Sequence, residues 1–377
     1  MRNIFKDPLF HVARRRDIPL WKSLLFRLGA ILIGIVVSCL LIGLSSGNNP
    51  LLVIPYLFKG NFGTERKIWI FIHQAALLLI VGLALLPAFK MKFWNLGGDG
   101  QILISALITI ILMSNLGQAG WPDWAIILVM IPSAIIAGAI WAAIPAIFKA
   151  FFDTNESLFT LMMNYIASGI VGIYLSATIT SGSGTMPLVK TGNLPLIGGR
   201  YFLLTIIISV VVLGLMFGYL RFHKHGYELA VVGESQNTAK YIGINVKKVI
   251  IRTALLSGAI CGVVGLLIAG SIDHSITTES ANGMGFTAIM IAWLGKFNPF
   301  AMVGISFLVS FITNGMSEVT TEFGITGTAI ASICVGLIYF SIIAIEFFIS
   351  YRLVRSKHAS KDKKAANNMT ASGKGGK

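Results

Sequence analysis

The sequence predicts an all-α fold, a polytopic membrane bundle of about ten spans with one or two broken helices, from three observations. Of 377 residues, 55% are hydrophobic and only 12% charged, whereas soluble domains carry roughly 25% charged residues. Apolar runs near the ~20 residues that a spanning helix needs recur along most of the chain. The formal charge of +15 gathers at the two ends: Met1 to Arg27 holds seven Lys or Arg against Asp7 and Asp17, and 352–377 holds eight against Asp362. Basic ends of this kind fix orientation and meet anionic lipid, and they argue against a nucleic-acid groove.

The elements follow in order. Residues 1–23 form a basic cytoplasmic region before the first run, Leu24–Leu44. A secretory signal also has a basic start, but this run is span-length and many spans follow, which predicts an uncleaved first span. Next come Ile68–Phe89, Phe93–Ser114, Trp124–Phe148, Leu158–Thr180, Tyr201–Leu220 and Val249–Ala269. Met284–Leu294, Phe300–Met316 and Ile325–Tyr351 complete ten. An even number keeps both ends in the cytoplasm. Lys90, Lys92, Lys149, Lys296 and the stretch Arg221–Lys248 then fall inside, while Asn115–Asp123, Ser271–Gly283 and Ser317–Gly324 carry no Lys or Arg. Lys59, Arg66 and Lys67 in the first outer loop break the pattern.

Two spans are irregular. Met284–Leu294 makes a helix of only ~17 Å against a ~30 Å hydrocarbon core, so nonhelical backbone around Gly283 and Gly285, buried in protein, should complete it. Phe93–Ser114 is long enough only if it includes Asn95-Leu-Gly-Gly-Asp-Gly-Gln101, whose glycines predict a broken helix. Residues 352–377, rich in Lys, Ala, Asn and Gly, read as a disordered basic cytoplasmic tail. Cys39, Cys261 and Cys334 lie apart in apolar runs without His partners, which predicts core residues and no metal site.

Four polar segments invite chemistry. The loop 222–248 carries glycines at 233 and 243 around a short helix-compatible segment, and Lys240, Lys247, Lys248 and Arg252 place it inside. It reads either as an element that docks on another protein or as a helix resting on lipid headgroups. Asp99 in the Gly-rich element is costly in hydrocarbon unless solvated or bound to a protein donor, so it lines a cavity or meets such a donor. The alternative is a solvated N-cap in a cytoplasmic turn after Lys92. Thr160 and Asn164, four residues apart, share one helix face and offer hydrogen bonds to a ligand or to a neighbouring helix. His73-Gln74 is a polar pair inside the second span, a weaker sign of a lined path.

These segments resemble the ABC importer permeases of the nucleoside and simple-sugar family. Asn95-Leu-Gly-Gly-Asp-Gly-Gln101 is similar to the family's Asn-Ile-Gly-x-Glu-Gly-Gln, with Leu96 and Asp99 as departures. Asn155-Glu156, Thr160 and Asn164-Tyr165-Ile166 follow its Asn-Glu-x-x-x-Thr-x-Met-x-Asn-Tyr-Ile pattern. Gly226-Tyr-Glu-Leu229, Asn237-x-Ala-x-Tyr-x-Gly-Ile244 and Ser257-Gly-Ala259 resemble its coupling loop, and Gly283-Met-Gly-Phe286 with Gly295 and Asn298-Pro299 completes the order. The resemblance implies that 222–248 docks on a cytoplasmic ATPase through Glu234, Asn237, Ala239, Tyr241 and Gly243. It implies a substrate pathway through His73, Asn95, Asp99, Gln101, Thr160 and Asn164. It further implies a second permease chain, related or identical, an extracellular substrate-binding lipoprotein, and a bacterial plasma membrane location. Nucleosides are the expected cargo, with ribose- or galactose-type sugars as the alternative.

The sequence holds no Gly-x-x-x-x-Gly-Lys-Ser/Thr loop, no His-Glu-x-x-His, no Cys/His cluster and no nucleophile elbow. No cofactor is therefore expected in this chain, ATP and Mg being held by the partner ATPase. An ion-coupled secondary transporter using Asp99 is the competing class, and a membrane-embedded enzyme a distant third.

Overall fold

The computed structural model describes residues 10–14, 19–47, 49–179, 186–200, 202–325 and 329–355. The chain runs through α1 (Leu20–Ser46), the short α2 (Val53–Phe62), α3 (Glu65–Lys90), α4 (Gly98–Gln118), α5 (Asp123–Phe152), α6 (Glu156–Thr178) and α7 (Phe202–Phe222). Two short helices follow, α8 (Lys224–Glu234) and α9 (Gln236–Tyr241). Then come α10 (Val246–Leu267), α11 (Met284–Leu294), α12 (Pro299–Glu322) and α13 (Ala329–Ser350). Among the described residues nine helices are long and apolar enough to cross a membrane, with α11 as a shorter tenth. The chain is a multi-pass α-helical membrane protein.

The chain divides into two compact units, Met1–Gly60 with Gly315–Lys377, and Asn61–Asn314. In the described part of the first, α1 packs along α13. A Cβ on Gly34 would stand 2.8 Å from Ile338 Cα, so only glycine permits that approach. Ser38 donates to the Cys334 carbonyl at 3.3 Å, and Arg27 makes a two-pronged pair with Glu346 at 3.1 Å. Strand β1 (Phe10–Arg14) pairs antiparallel with β2 (Tyr351–Arg355).

That ladder corrects the expectation of disorder from residue 352. The Lys, Ala, Asn and Gly content belongs to the later tail, whereas Tyr351-Arg-Leu-Val-Arg355 has the aromatic and β-branched content of a strand. Residues 1–9, 15–18 and 356–377 of the expected basic ends, with Thr180 and Tyr201, lie outside the described residues. Lys59, one of the cations that broke the inside-positive pattern, forms an ion pair with Glu322. Ser317–Gly324, expected as a loop, is helical as far as Glu322.

In the second unit α3 and α10 are the most enclosed helices. Every residue from Ala75 to Phe89 of α3 is buried. Lipid gives apolar helices no reason to associate, so close packing must do so. Accordingly α10 presents small residues: a Cβ on Gly258 would lie 2.5 Å from Ala142 Cβ, and one on Gly262 2.6 Å from the Ala134 carbonyl, both on α5. Gly265 is equally tight against α4, 2.8 Å from Ala106 N. Beyond Leu267 the helix widens into a π-helical turn, Ile268–Asp273. The segment 186–200 holds that turn through Leu194 N–H to the Gly270 carbonyl at 2.9 Å and Val189 N–H to the His274 carbonyl at 2.8 Å.

The Gly-rich element departs from the expected broken helix. Residues 93–97 are nonhelical and α4 starts afresh at Gly98, running to Gln118. Its 21 residues reach ~31 Å, a full span without help. Ahead of α11, Gly283 takes a φ of +65 as expected of a nonhelical glycine, whereas Gly285 is already inside the helix.

Candidate functional site

Asn95–Gln101 enters the interior of the second unit. Asn95 donates to Ser257 Oγ at 3.2 Å, eleven residues and thus about 16 Å along α10 from its start. Asn95 Oδ1 accepts from Gly97 N–H at 3.0 Å and from Gln101 Nε2 at 3.2 Å. One turn of α6 serves the same backbone. Thr160 Oγ1 accepts from Leu96 N–H at 3.1 Å, Asn164 Oδ1 accepts from Gly100 N–H at 2.8 Å, and Asn164 Nδ2 donates to the Leu96 carbonyl at 2.8 Å. The shared face of Thr160 and Asn164 is thus directed at a neighbouring segment. Asn95, Asp99, Gln101, Thr160 and Asn164 are all buried and close together.

Asp99 lies in the first turn of α4 but caps a different helix. Its Oδ1 accepts from Gly285 N–H in the first turn of α11 at 2.8 Å. The two helix starts abut: a Cβ on Gly98 would lie 3.0 Å from Gly285 Cα, and one on Gly285 2.7 Å from Asp99 N. Both helices bring their positive ends to this point, and a carboxylate there is favoured by both dipoles. The solvated-cap reading does not describe this geometry, because Asp99 is only 8% exposed.

His73 does not join that network. Its ring meets Phe202 at a T-shaped angle, centroids 5.4 Å apart, in a cavity of about 700 Å³. Gln74, Asp273, Thr277, Glu279 and Ser280 line the same space, and Met284 of α11 closes one side. Sequence reasoning passed over the turn segment 271–283 as an outer loop without cations. Its density of hydroxyl, amide and carboxylate groups was the available signal.

The loop 222–248 forms a platform. Leu229 and Val232 of α8 and Ala239 of α9 are buried in one cluster with Ala88, Met91 and Ala146. The short helical segment expected between Gly233 and Gly243 is α9; α8 precedes it, and the two break at Ser235, whose φ is −157 and whose Oγ caps α9 by accepting from Thr238 N–H at 3.2 Å. Gly233 lies inside α8, where a side chain would run into the Lys90 carbonyl. Gly243 ends the loop with a φ of +84. Arg252 donates to Glu228 at 2.7 Å and holds that carboxyl below its ordinary range. Glu234, Asn237, Tyr241 and Gly243 face outward, Tyr241 at 92% exposure, while Ala239 seats α9 from below. Phe93 belongs to the same buried cluster, two residues before Asn95. The platform and the buried junction therefore share one short backbone segment.

A family described as "Branched-chain amino acid transport system / permease component" matches residues 68–343. The chain is 30% identical to the glucose ABC transporter permease protein TsgB13 of Haloferax volcanii over 74% of this chain and 77% of that one. It is 26% identical to the guanosine ABC transporter permease protein NupP of Bacillus subtilis, over 91% of this chain and 98% of that one. With the nucleoside ABC transporter permease protein NupB of Lactococcus lactis it shares 24% identity, covering 89% and 94%. No solved structure gives a significant match.

Proposed function

The chain belongs to the permease-component family of branched-chain amino acid transport systems, and we propose on that premise that it is the membrane subunit through which an ATP-driven importer carries nucleosides. The observation that carries this reading is the platform. Its inner face is fixed to the bundle by Leu229, Val232 and Ala239, and its outer face presents Tyr241, Asn237 and Glu234. An ATPase bound there supplies the energy, and ATP and Mg sit in that partner. Motion of α8 and α9 reaches Phe93 through the buried cluster and so the Asn95–Gln101 junction, where α4 and α11 meet. Asn95, Asp99, Gln101, Thr160 and Asn164 hold or release that junction, and His73 lines the space beside α11.

The nucleoside half of the reading is supported by the two relatives that align along nearly the whole chain, both nucleoside or guanosine permeases. Free sugar is the second reading, supported by the Haloferax relative. Pairing of β1 with β2 brings together a segment ahead of α1 and the segment that follows α13, which supports an even number of crossings and termini on one side, the cytoplasm. A second permease chain and an extracellular binding lipoprotein complete the assembly in a bacterial plasma membrane.

Proteoliposomes holding all subunits should take up radiolabelled guanosine or uridine only when ATP and the binding protein are supplied. Uptake driven by an ion gradient with this chain alone would overturn the ATP-driven reading. Strong competition by ribose or galactose, with none by nucleosides, would replace the cargo.

A further inference from the structure

We infer that the cavity between His73 and the turn segment after α10 is a nucleobase subsite that accepts neutral nucleosides and rejects their phosphates. This rests on the transport reading above and deepens it. The cavity, at about 700 Å³, falls inside the ~300–1,000 Å³ range of small-molecule sites. His73 lines it, is only 5% exposed, and among the described residues has no hydrogen-bond partner for either ring nitrogen. Neither nitrogen is exposed to the cavity as the ring stands; a turn of the ring presents them to a ligand, and since buried polar groups are nearly always satisfied, binding favours that turn. A neutral imidazole offers one donor and one acceptor. The hydrogen-bonding edge of a nucleobase presents the complementary pair. Gln74 adds an amide of the same dual character to the same wall. Phe202, set edge-on to His73, makes an aromatic corner for a flat heterocycle.

The opposite wall sets the charge rule. Asp273 and Glu279 face the cavity with Ser280, and no Lys or Arg is among the described lining residues. Ribose hydroxyls can donate to those carboxylates and to the Ser280 oxygen. A phosphate in the same place meets like charge with no cation to offset it. Selection against nucleotides is then made by sign of charge and not by size, since the space would admit both.

The test reads binding directly on the assembled permease and ATPase in nanodiscs, without the external binding protein, by saturation-transfer NMR. Uridine and uridine 5′-monophosphate are the probes, because adenine nucleotides would also occupy the ATPase. Wild type should bind uridine about tenfold or more tighter than its monophosphate, a difference set by like-charge repulsion. His73→Phe keeps a flat ring without the nitrogens and should weaken uridine about fivefold or more, the size of one lost hydrogen bond. Asp273→Asn with Glu279→Gln should bring the monophosphate to within about threefold of uridine. This pair lies on the turn segment and decides the matter even if the His73 variant does not assemble. Equal binding of the two probes by wild type, or unchanged discrimination in the carboxylate pair, overturns the subsite. ATP-dependent uptake by the complete transporter tests the underlying reading separately. Nucleoside uptake with no uridine binding here removes the subsite alone, and failure to take up any nucleoside removes the reading.

Discussion

A carboxylate inside a membrane bundle ordinarily needs a cation or water, and Asp99 is served instead by backbone. Its acceptor role toward Gly285 N–H at 2.8 Å predicts which substitutions are tolerated. Asp99→Leu leaves a buried amide without a partner, which should lower stability by about 1–3 kcal/mol. Asp99→Asn retains an oxygen acceptor and should lose much less. Thermal unfolding of the purified protein in detergent compares them, and equal melting points for Leu and Asn would remove the capping role. Gly285→Ala should be worse than either, since its Cβ would fall 2.7 Å from Asp99 N, whereas Gly304→Ala, with open space around it, should be nearly silent. The residue types at the junction were legible in the sequence, because Gly, Asp, Asn and Gln are conspicuous among apolar neighbours. Their partners were not: Asp99 and Gly285 are 186 positions apart, and no local periodicity encodes that pairing.

At the scale of elements, span positions followed from hydropathy because lipid obliges each crossing to be long and apolar. Boundaries were less legible where backbone geometry decides them. The break at Ser235 depends on a capping hydroxyl, and the π-helical turn at Ile268–Asp273 depends on tethers from the segment 186–200. The platform should be separable from the bundle in function. Tyr241→Asp with Gly243→Pro alters the exposed tip and a φ of +84 that proline cannot adopt. The permease should still insert but lose copurification of the ATPase, and full copurification with normal uptake would end the docking assignment. Seating of α8 should also depend on pH. The Arg252 hydrogen bond lowers the folded carboxyl of Glu228, so its contribution is complete above the ordinary glutamate value of about 4.3. It is lost as pH falls through the lowered value. The protection of α8 amides from hydrogen exchange, taken relative to the intrinsic rate at each pH, should fall on acidification in wild type, and Glu228→Gln should flatten that response.

For the molecule as a whole, the charge of the cavity wall has an electrical meaning. Asp273 and Glu279 line it, and no Lys or Arg is among the described lining residues, so a charged cargo would feel that wall and the membrane voltage together. Moving one charge across the membrane exchanges about 2.3 kcal/mol per 100 mV with it. An uncharged nucleoside exchanges none. Uptake should therefore proceed at the same rate whether a potassium diffusion potential of either sign is imposed on the vesicles or none at all. A rate that follows the imposed voltage would mean that charge crosses with the cargo, and that the importer acts as a current source.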